Sequence, residues 1–265
     1  MNDWLSRQSF LGASSDEVLS QCRAGIIGLG GGGSHIAQQL AHLGVSNFVL
    51  FDPDHVEETN LNRLVGATKK DAARAMPKAT VSRRLIKRIN QDAQVVQVPK
   101  EWQEEGRLVA GCDVVFGCVD TYSAREEIER ACRRFMIPFI DIGMDVKELS
   151  GDYLISGQMI LSMPDELCMR CLGFLTEKLL AQEAARYGAA GGRPQVIWPN
   201  GVLASAAVGT FVQLVTPWRS DMKPCIYLEY DGNAQTLLPS IRLQYLGERK
   251  CSHFKSSEVG DPFWQ

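Results

Sequence analysis

The sequence lacks the apolar segments that carry a protein into or across a membrane. No apolar run reaches the eighteen or so residues that a membrane-spanning helix needs. Residues 1–15 are mostly polar and do not contain the apolar centre of a secretory signal. We therefore expect a protein that works in the cytoplasm and has no membrane partner.

The chain also lacks an excess of charge of either sign. Its formal net charge is −3, and no basic stripe is interleaved with aromatic residues, so nucleic acid is not a favoured partner. The basic stretch 83–88 has the spacing of the solvated face of a helix. Eight cysteines without a secretory signal indicate thiols or metal ligands rather than disulfides.

Glycine, by contrast, is concentrated in one place. A short apolar run, typical of a buried strand, leads into Gly28, Gly30, Gly31 and Gly33, and a helical pattern begins at the last of them. The first, second and fourth have the G-x-G-x-x-G spacing, which lets the backbone approach a phosphate at the N-terminus of a helix. The next apolar run ends at Asp52, whose carboxylate can accept hydrogen bonds from ribose hydroxyls. This order predicts a nucleotide site.

Alternating apolar runs and helical patterns predict the fold class. It is α/β: a Rossmann-like, mainly parallel sheet flanked by helices and extended by antiparallel strands in the C-terminal half. Helices are expected over 77–89, over 124–135 with Ser123 as the cap, over 173–187, and over 201–215 with Asn200 as the cap. Strands are expected at 25–29, 48–51, 94–98, 114–119, 139–142 and 153–161, with a hairpin about 231–233.

The residues that follow the ribose acid resemble a known family. Segment 52–63 contains the D-x-D…N-L-x-R pattern of the ThiF/MoeB superfamily, the adenylyltransferases related to ubiquitin-activating enzymes. A nicotinamide dehydrogenase requires no such cluster at this point. Further motifs of the family are matched in the family's order from about residue 7 to residue 253. The matching residues are Arg7 with Gln8 before the first strand, Asn60 and Arg63, Lys78 after Pro77, and Asp120 at the end of a strand.

This resemblance implies an enzyme that uses ATP and Mg²⁺ to adenylate the C-terminal glycine carboxylate of a ubiquitin-like or sulfur-carrier protein, releasing pyrophosphate. A carboxylate is already ionised at neutral pH, so the reaction needs positioning and cations rather than a general base. By the same resemblance, Arg63 and Lys78 neutralise phosphate charge, Asn60 fixes phosphate or ribose, and Asp120 holds Mg²⁺. Arg7 would enter the neighbouring subunit's site in a homodimer.

The resemblance covers nearly the whole chain and implies a single adenylation domain over residues 1–265. We divide it into an N-terminal arm (1–22), a nucleotide-binding half (23–145), and a half for carrier binding and dimerisation (146–265). The helix expected over 201–215 is rich in small residues, which suit either core packing or a subunit interface.

A structural zinc site is indicated by a C-x-x-C pair, Cys168 and Cys171, together with Cys251 and His253 near the end of the chain. Four such ligands arranged tetrahedrally would bind the tail to the middle of the chain. Many relatives carry two C-x-x-C pairs here, so the Cys-x-His spacing is a departure, and Cys225 is an alternative ligand. The other interpretation of Cys168 and Cys171 is that of ordinary thiols near the core surface.

The fate of the activated carboxylate is left open by the sequence. Relatives that pass it to a thiol place a cysteine just before the small-residue helix, whereas segment 193–200 contains none. Either the reaction ends at the acyl-adenylate or another cysteine, of which Cys225 is a weak candidate, takes over. Three alternatives to carrier activation remain: a tRNA-modifying member that activates a small carboxylate, an NAD-dependent oxidoreductase, and an inactive half of a heterodimer.

Overall fold

The computed structural model describes residues 3–164, 166–185, 194–247, 249–254 and 259–260. Within these ranges the strands are β1 (Arg23–Ile27), β2 (Asn47–Phe51), β3 (Gln94–Val98), β4 (Val114–Gly117), β5 (Phe139–Leu149), β6 (Asp152–Ser162), β7 (Tyr227–Asp231) and β8 (Thr236–Pro239). The α-helices are α1 (Ser15–Gln21), α2 (Gly31–His42), α3 (Lys69–Ala73), α4 (Lys78–Ile89), α5 (Gly106–Ala110), α6 (Tyr122–Arg134), α7 (Glu177–Ala185) and α8 (Ile197–Val215).

All eight strands belong to one sheet, in the order β3-β2-β1-β4-β5-β6-β7-β8. The first five strands are parallel and the last three are added antiparallel, which confirms the expected fold class. Helices α2, α4 and α8 pack on one face and α5 and α6 on the other, so each face of the sheet has its own apolar core. Among the described helices, none combines the length and the apolar character needed to cross a bilayer.

Several expected boundaries are wrong, for local reasons. Helix α2 begins at Gly31 rather than Gly33, because Ser34 already donates its N–H to the carbonyl of Gly30. Helix α6 is capped by Thr121, whose hydroxyl accepts from the N–H of Ala124 at 3.3 Å, and not by Ser123.

The last two helices also differ from their predicted bounds. Helix α8 begins after Val196, so Asn200 lies inside it and does not cap it. Helix α7 begins at Glu177 rather than residue 173, and the predicted end at residue 187 lies outside the described residues. The first strand starts at Arg23, where it pairs with Asn47.

The strand order also locates the site. In the sheet, β2 and then β3 lie on one side of β1, whereas β4 lies on its other side. The direction in which successive strands are added therefore reverses between β1 and β4. In open α/β sheets, ligands bind in the crevice at the carboxyl ends of the strands at such a reversal. The glycine turn after β1 and Asp52 after β2 therefore meet at this edge.

Candidate active site

A cavity of about 380 Å³ opens at the carboxyl ends of β1, β2 and β4, within the size range of small-molecule sites. Most of the predicted site residues reach it, although they come from separate parts of the chain. Its lining includes Gly28, Gly30, Gly31, Asp52, Arg63, Lys78 and Asp120.

The glycine turn brings backbone to the cavity at positions where a side chain would not fit. Gly28 has φ +87°, and a Cβ there would lie 2.5 Å from the carbonyl oxygen of Cys118. A Cβ on Gly33 would lie 1.9 Å from the carbonyl oxygen of Gly28, so Gly33 permits the close strand-to-helix turn without itself lining the cavity. At Gly30 a Cβ would meet nothing within 4 Å, so the space beside it is open to a ligand.

Asp52 is a buried carboxylate held in a fixed orientation. It is 4% exposed, and it accepts the N–H of Leu29 at 2.6 Å on Oδ2 and the N–H of Asp54 at 2.8 Å on Oδ1. Burial raises its pKa, an effect opposed by the positive charge of Lys78 and by the two backbone donors. Because an ionised carboxylate accepts about four hydrogen bonds, Asp52 can still accept two from ribose hydroxyls.

Lys78 lies at the start of α4 and projects into the same cavity. Its Nζ is 2.7 Å from Oδ2 of Asp54, and its side chain is 13% exposed. Its backbone N–H donates to the carbonyl of Asp54 at 3.0 Å, and an isolated bridge pairs His55 with Pro77. The loop after β2 and the start of α4 are thus joined, which places one ammonium group beside the ribose acid.

Of the motif residues Asn60 and Arg63, only Arg63 lines the cavity, so Asn60 is not placed there to fix phosphate or ribose as expected. The side-chain oxygen of Asn60 accepts the N–H of Glu57 at 3.1 Å, and Asn60 is 9% exposed and absent from the cavity lining. It therefore stabilises the turn that carries Arg63. The guanidinium of Arg63 donates to the carbonyl of Thr59 at 2.8 Å and to the side chain of Asn62 at 3.0 Å, and it lines the cavity.

Asp120 lies on the opposite side of the cavity, after β4. Its Oδ1 is 3.4 Å from Nε2 of Gln195, while the carbonyl of Gln195 accepts from the amide of Asn62 at 2.8 Å. Gln195 therefore links the loop after β2 to the loop after β4. This glutamine carries no signal in the sequence, because it belongs to none of the motifs and lies at no predicted helix or strand end.

A buried ion pair behind Asp120 was also missed. Arg125 on α6 donates to Asp141 on β5 at 2.5 Å and to the carbonyl of Val119 at 2.6 Å, and it lines the cavity. Burial raises the pKa of Asp141 to about 7, against the opposing charge of Arg125. A signal was present: Asp141 interrupts an apolar strand, and a charged residue there predicts a buried partner.

Arg7 lies away from this cavity. It belongs to a 3₁₀ segment (Asp3–Leu11) that is attached at the C-terminal end of α2, where Gln8 donates to the carbonyl of Leu43 at 3.1 Å. The glycine turn is at the other end of α2. A helix of 12 residues spans about 18 Å, so Arg7 does not reach its own chain's cavity from this position.

The four predicted metal ligands come together on the side of the sheet that carries α6. The donor atoms of Cys168, Cys171, Cys251 and His253 all lie within 4.8 Å of one another. The Sγ atoms of the C-x-x-C pair are 3.6 Å apart, and Nδ1 of His253 lies 3.4 Å from one and 3.2 Å from the other. Zn–S and Zn–N distances of about 2.3 and 2.0 Å place tetrahedral ligands about 3.5–3.8 Å apart, so this donor set fits zinc.

A buried hydrogen-bond network stabilises the C-x-x-C turn. Oε1 of Glu129 accepts the N–H of Met169 at 2.9 Å and the hydroxyl of Ser162 at 2.5 Å, and Arg133 donates to that same hydroxyl. Cys225 does not belong to the cluster; its thiol donates to the carbonyl of Tyr227 at 3.4 Å.

Comparisons with known proteins show which sequences and structures the chain is similar to. The sequence model described as the ThiF family matches residues 5–252. The chain is 34% identical over 151 residues to the sulfur carrier protein ThiS adenylyltransferase of Escherichia coli K12, a match covering 56% of this chain and 56% of that protein. It is 30% identical over 164 residues to the SAMP-activating enzyme E1 of Haloferax volcanii, covering 61% and 57%. The matched segments thus span little more than half the length of these relatives.

Solved structures show the same fold at lower identity. Escherichia coli MccB, crystallised with ATP, superposes with a TM-score of 0.72 at 18% identity, over 91% of this chain and 71% of that one. PaaA superposes with a TM-score of 0.69 at 19% identity, over 89% and 80%.

Proposed function

The chain belongs to the ThiF family, and from that membership we propose that it is an ATP-dependent adenylyltransferase. Its substrate is the C-terminal glycine carboxylate of a small ubiquitin-like or sulfur-carrier protein. The observation that carries the proposal is one cavity in which a glycine turn and a buried ribose acid, Asp52, meet two cationic side chains, Arg63 and Lys78. An oxidoreductase that transfers hydride has no need of these cations.

The chemistry requires charge neutralisation more than proton transfer. One oxygen of the substrate carboxylate bonds to the α-phosphorus of ATP, the bond from that phosphorus to the bridging oxygen breaks, and the electron pair leaves with pyrophosphate. Negative charge grows on the phosphate oxygens and on the leaving group. Lys78 and Arg63 would balance this charge, and the N-terminus of α2 would add a partial positive charge.

Asp54 holds Lys78 in position before the nucleotide arrives. The carboxylate of Asp54 is 66% exposed, so water screens its attraction for the ammonium and lowers the cost of turning that group toward a phosphate. The backbone hydrogen bond from Lys78 to Asp54 would keep the lysine at the cavity while its ammonium group moves.

Mg²⁺ fits a carboxylate donor of the cavity, and Asp120 would hold it there. When bound, it would neutralise phosphate oxygens. Zinc would be held by Cys168, Cys171, Cys251 and His253, away from the cavity lining, where its contribution is to stability.

A homodimer would complete the site. The face of α8 that includes Val202, Ser205 and Gly209 is exposed, and beside it Phe10 and Trp218 stack edge to face with ring centroids 6.0 Å apart. A second copy on this surface would cover apolar area and bring its own Arg7 segment with it. Arg7 does not reach the cavity of its own chain. In the dimer it would act in the partner's cavity.

The test is ATP–pyrophosphate exchange that depends on a carrier protein with a C-terminal glycine. Lys78→Ala should lower the exchange rate by about 10²-fold, the scale of removing one electrostatic stabiliser, while ATP binding changes far less. The matched control is Lys87→Ala on the same helix, whose side chain donates to the carbonyl of Gln91 and does not line the cavity. Normal exchange in the Lys78 variant, or NAD binding without any exchange, would contradict the proposal.

A further inference from the structure

Positive charge is concentrated in one segment of the chain. Residues 69–88 contain eight of the 28 lysines and arginines but only one acidic residue, Asp71, so the segment has a formal charge of +7. The other 245 residues therefore carry −10, although the whole chain carries only −3. The small net charge thus conceals a strong separation of positive from negative charge.

Helices α3 and α4, which form most of this segment, are joined by one ion pair. Arg84 on α4 donates to both carboxylate oxygens of Asp71 on α3, at 2.6 and 2.7 Å, and to the carbonyl of Gly66 at 3.0 Å. The guanidinium holds the pKa of the Asp71 carboxyl well below its usual range. The only acid of the segment is thus used inside the protein, where it places the two helices side by side.

Most of the other basic residues of the segment lie on the surface. Lys78 is the exception, since it lines the cavity. Among the described residues, no carboxylate lies within 4.0 Å of the charged group of any of the others. We call these six residues the basic surface, of which five are exposed and Lys87 is half-buried: Lys69, Lys70, Arg74, Arg83, Lys87 and Arg88.

The basic surface has no large apolar side chain that a protein or a lipid could cover. Among the described residues, the exposed large apolar side chains include none between 11 and 95. Such side chains form the centre of protein interfaces, and an amphipathic helix inserts them at the boundary of a membrane. A nucleic acid needs only cations, because its phosphates supply most of the binding energy. The basic surface therefore fits a nucleic acid better than it fits a protein or a membrane.

The dimensions of α4 suit a double-stranded nucleic acid. Its 12 residues span about 18 Å, and a duplex carries about ten phosphate charges over that length. Arg83 and Lys87 are four residues apart, a spacing at which like charges destabilise a helix. The helix dipole favours cations in the last turn, which accounts for Lys87 and Arg88 but not for Arg83. Phosphates lying along the helix would remove this repulsion.

We propose that the basic surface of α3 and α4 binds the phosphate backbone of a double-stranded nucleic acid. Segment 69–88 contains no aromatic residue on which an unpaired base could stack, so a duplex is favoured over a single strand. Because phosphate contacts carry no sequence information, binding is independent of base sequence. A nucleic-acid partner departs from the expectation based on net charge, and it goes beyond the proposed function.

The first experiment measures the salt dependence of binding. A fluorescein-labelled DNA duplex of about 20 base pairs, and an RNA duplex of the same sequence, are titrated with the full chain at KCl concentrations from about 50 to 200 mM. For either duplex, the logarithm of the association constant should fall against the logarithm of the salt concentration with a slope of about −3 to −5, since each neutralised phosphate contributes about −0.9. A slope shallower than about −3, or no binding of either duplex, would overturn the inference.

The second experiment reverses charge on opposite faces of the sheet. Arg83→Glu combined with Arg88→Glu should raise the Kd of the duplex about tenfold or more at about 100 mM KCl and make the slope shallower by about 2. The matched control combines Arg107→Glu and Arg130→Glu, exposed residues of α5 and α6, which change the net charge equally and should have a much smaller effect.

The two double variants share one check on folding. ATP affinity should be unchanged in both, because none of the four arginines lines the cavity. If the Glu variant of α4 does not fold, the corresponding Ala variant carries the same test, with the same loss of slope expected. Equal losses of binding in the variants of α4 and of α5 with α6 would show that only the total charge matters, and the basic surface would be rejected.

The remaining probes separate this inference from other occupants and from the proposed function. Polyglutamate and vesicles that contain phosphatidylserine should bind more weakly than the duplexes, and equal or tighter binding of either probe would reject a nucleic-acid site. Duplex binding without carrier-dependent ATP–pyrophosphate exchange would reject adenylation and leave the basic surface as proposed. Exchange by a chain that binds no duplex would support adenylation and reject the nucleic-acid site.

Discussion

At the scale of single residues, Asp52 and Asp120 line the same cavity but differ in their exposure to solvent. Asp52 is 4% exposed and fixed by two backbone donors, whereas Asp120 lies exposed on the loop after β4. A rigid, buried acceptor suits a group that stays the same through the reaction, such as ribose. An exposed carboxylate at the cavity suits a hydrated cation such as Mg²⁺.

Substitution should therefore separate the two roles. Asp52→Ala should raise the KM for ATP about tenfold with little change in kcat, because ribose is bound equally in the ground state and the transition state. Asp120→Ala should lower kcat by about 10²-fold and raise the Mg²⁺ concentration needed for half-maximal rate. The measurement is KM and kcat over a magnesium series, and identical profiles for the two variants would show that the roles are misassigned.

Contacts between polar residues that are distant in sequence cannot be predicted from local sequence patterns. The positions of Asp52 and Lys78 at the cavity can be anticipated, since each residue lies at a fixed offset from the end of a strand or the start of a helix. Arg125 and Asp141 become a site feature only when α6 packs on β5, and Gln195 only when the chain crosses back over the cavity. Such contacts depend on tertiary packing, which short-range spacing does not encode.

At the scale of elements, the parallel half of the sheet and the C-terminal ends of α4 and α8 were predictable, whereas the starts of α2, α6, α7 and α8 were not. Apolar runs such as 48–51 are strands because both faces are buried, and that signal is local. Asn200 was misjudged because its amide bonds to the carbonyl of Val196 one turn earlier, inside a helix that begins sooner than its polar residues suggest. A preference for helix caps is weak beside the packing of α8 on α2.

The cysteine and histidine cluster is the element whose prediction can be tested most directly. Freshly purified protein should contain about one zinc ion per chain, and Cys171→Ser should lower both metal content and melting temperature while ATP affinity is retained. The matched control is Cys225→Ser, a cysteine outside the cluster, which should leave zinc content unchanged. If metal analysis finds no zinc in the parent protein, the four residues are thiols and an imidazole that do not form a zinc site.

At the scale of the whole molecule, the position of Arg7 connects activity with assembly. Its segment packs at the far end of α2 from the glycine turn, next to the exposed face of α8. Within a single chain, Arg63 and Lys78 therefore line the cavity and Arg7 does not. In the two-fold dimer that we propose, Arg7 of each chain would enter the partner's cavity, because the same surface patch is used on each subunit.

Mixing inactive variants tests this arrangement. Arg7→Ala and Lys78→Ala chains should each be inactive alone, yet a mixed dimer contains one site that combines an intact Arg7 with an intact Lys78. With random exchange about half the dimers are mixed and each has one good site, so about a quarter of the parent exchange rate should return. The control pairs Lys78→Ala with Arg63→Ala, which lie in the same chain's cavity and should restore nothing. If subunits exchange and the first mixture also stays inactive, Arg7 does not act across the dimer, and the site of one chain must be complete without it.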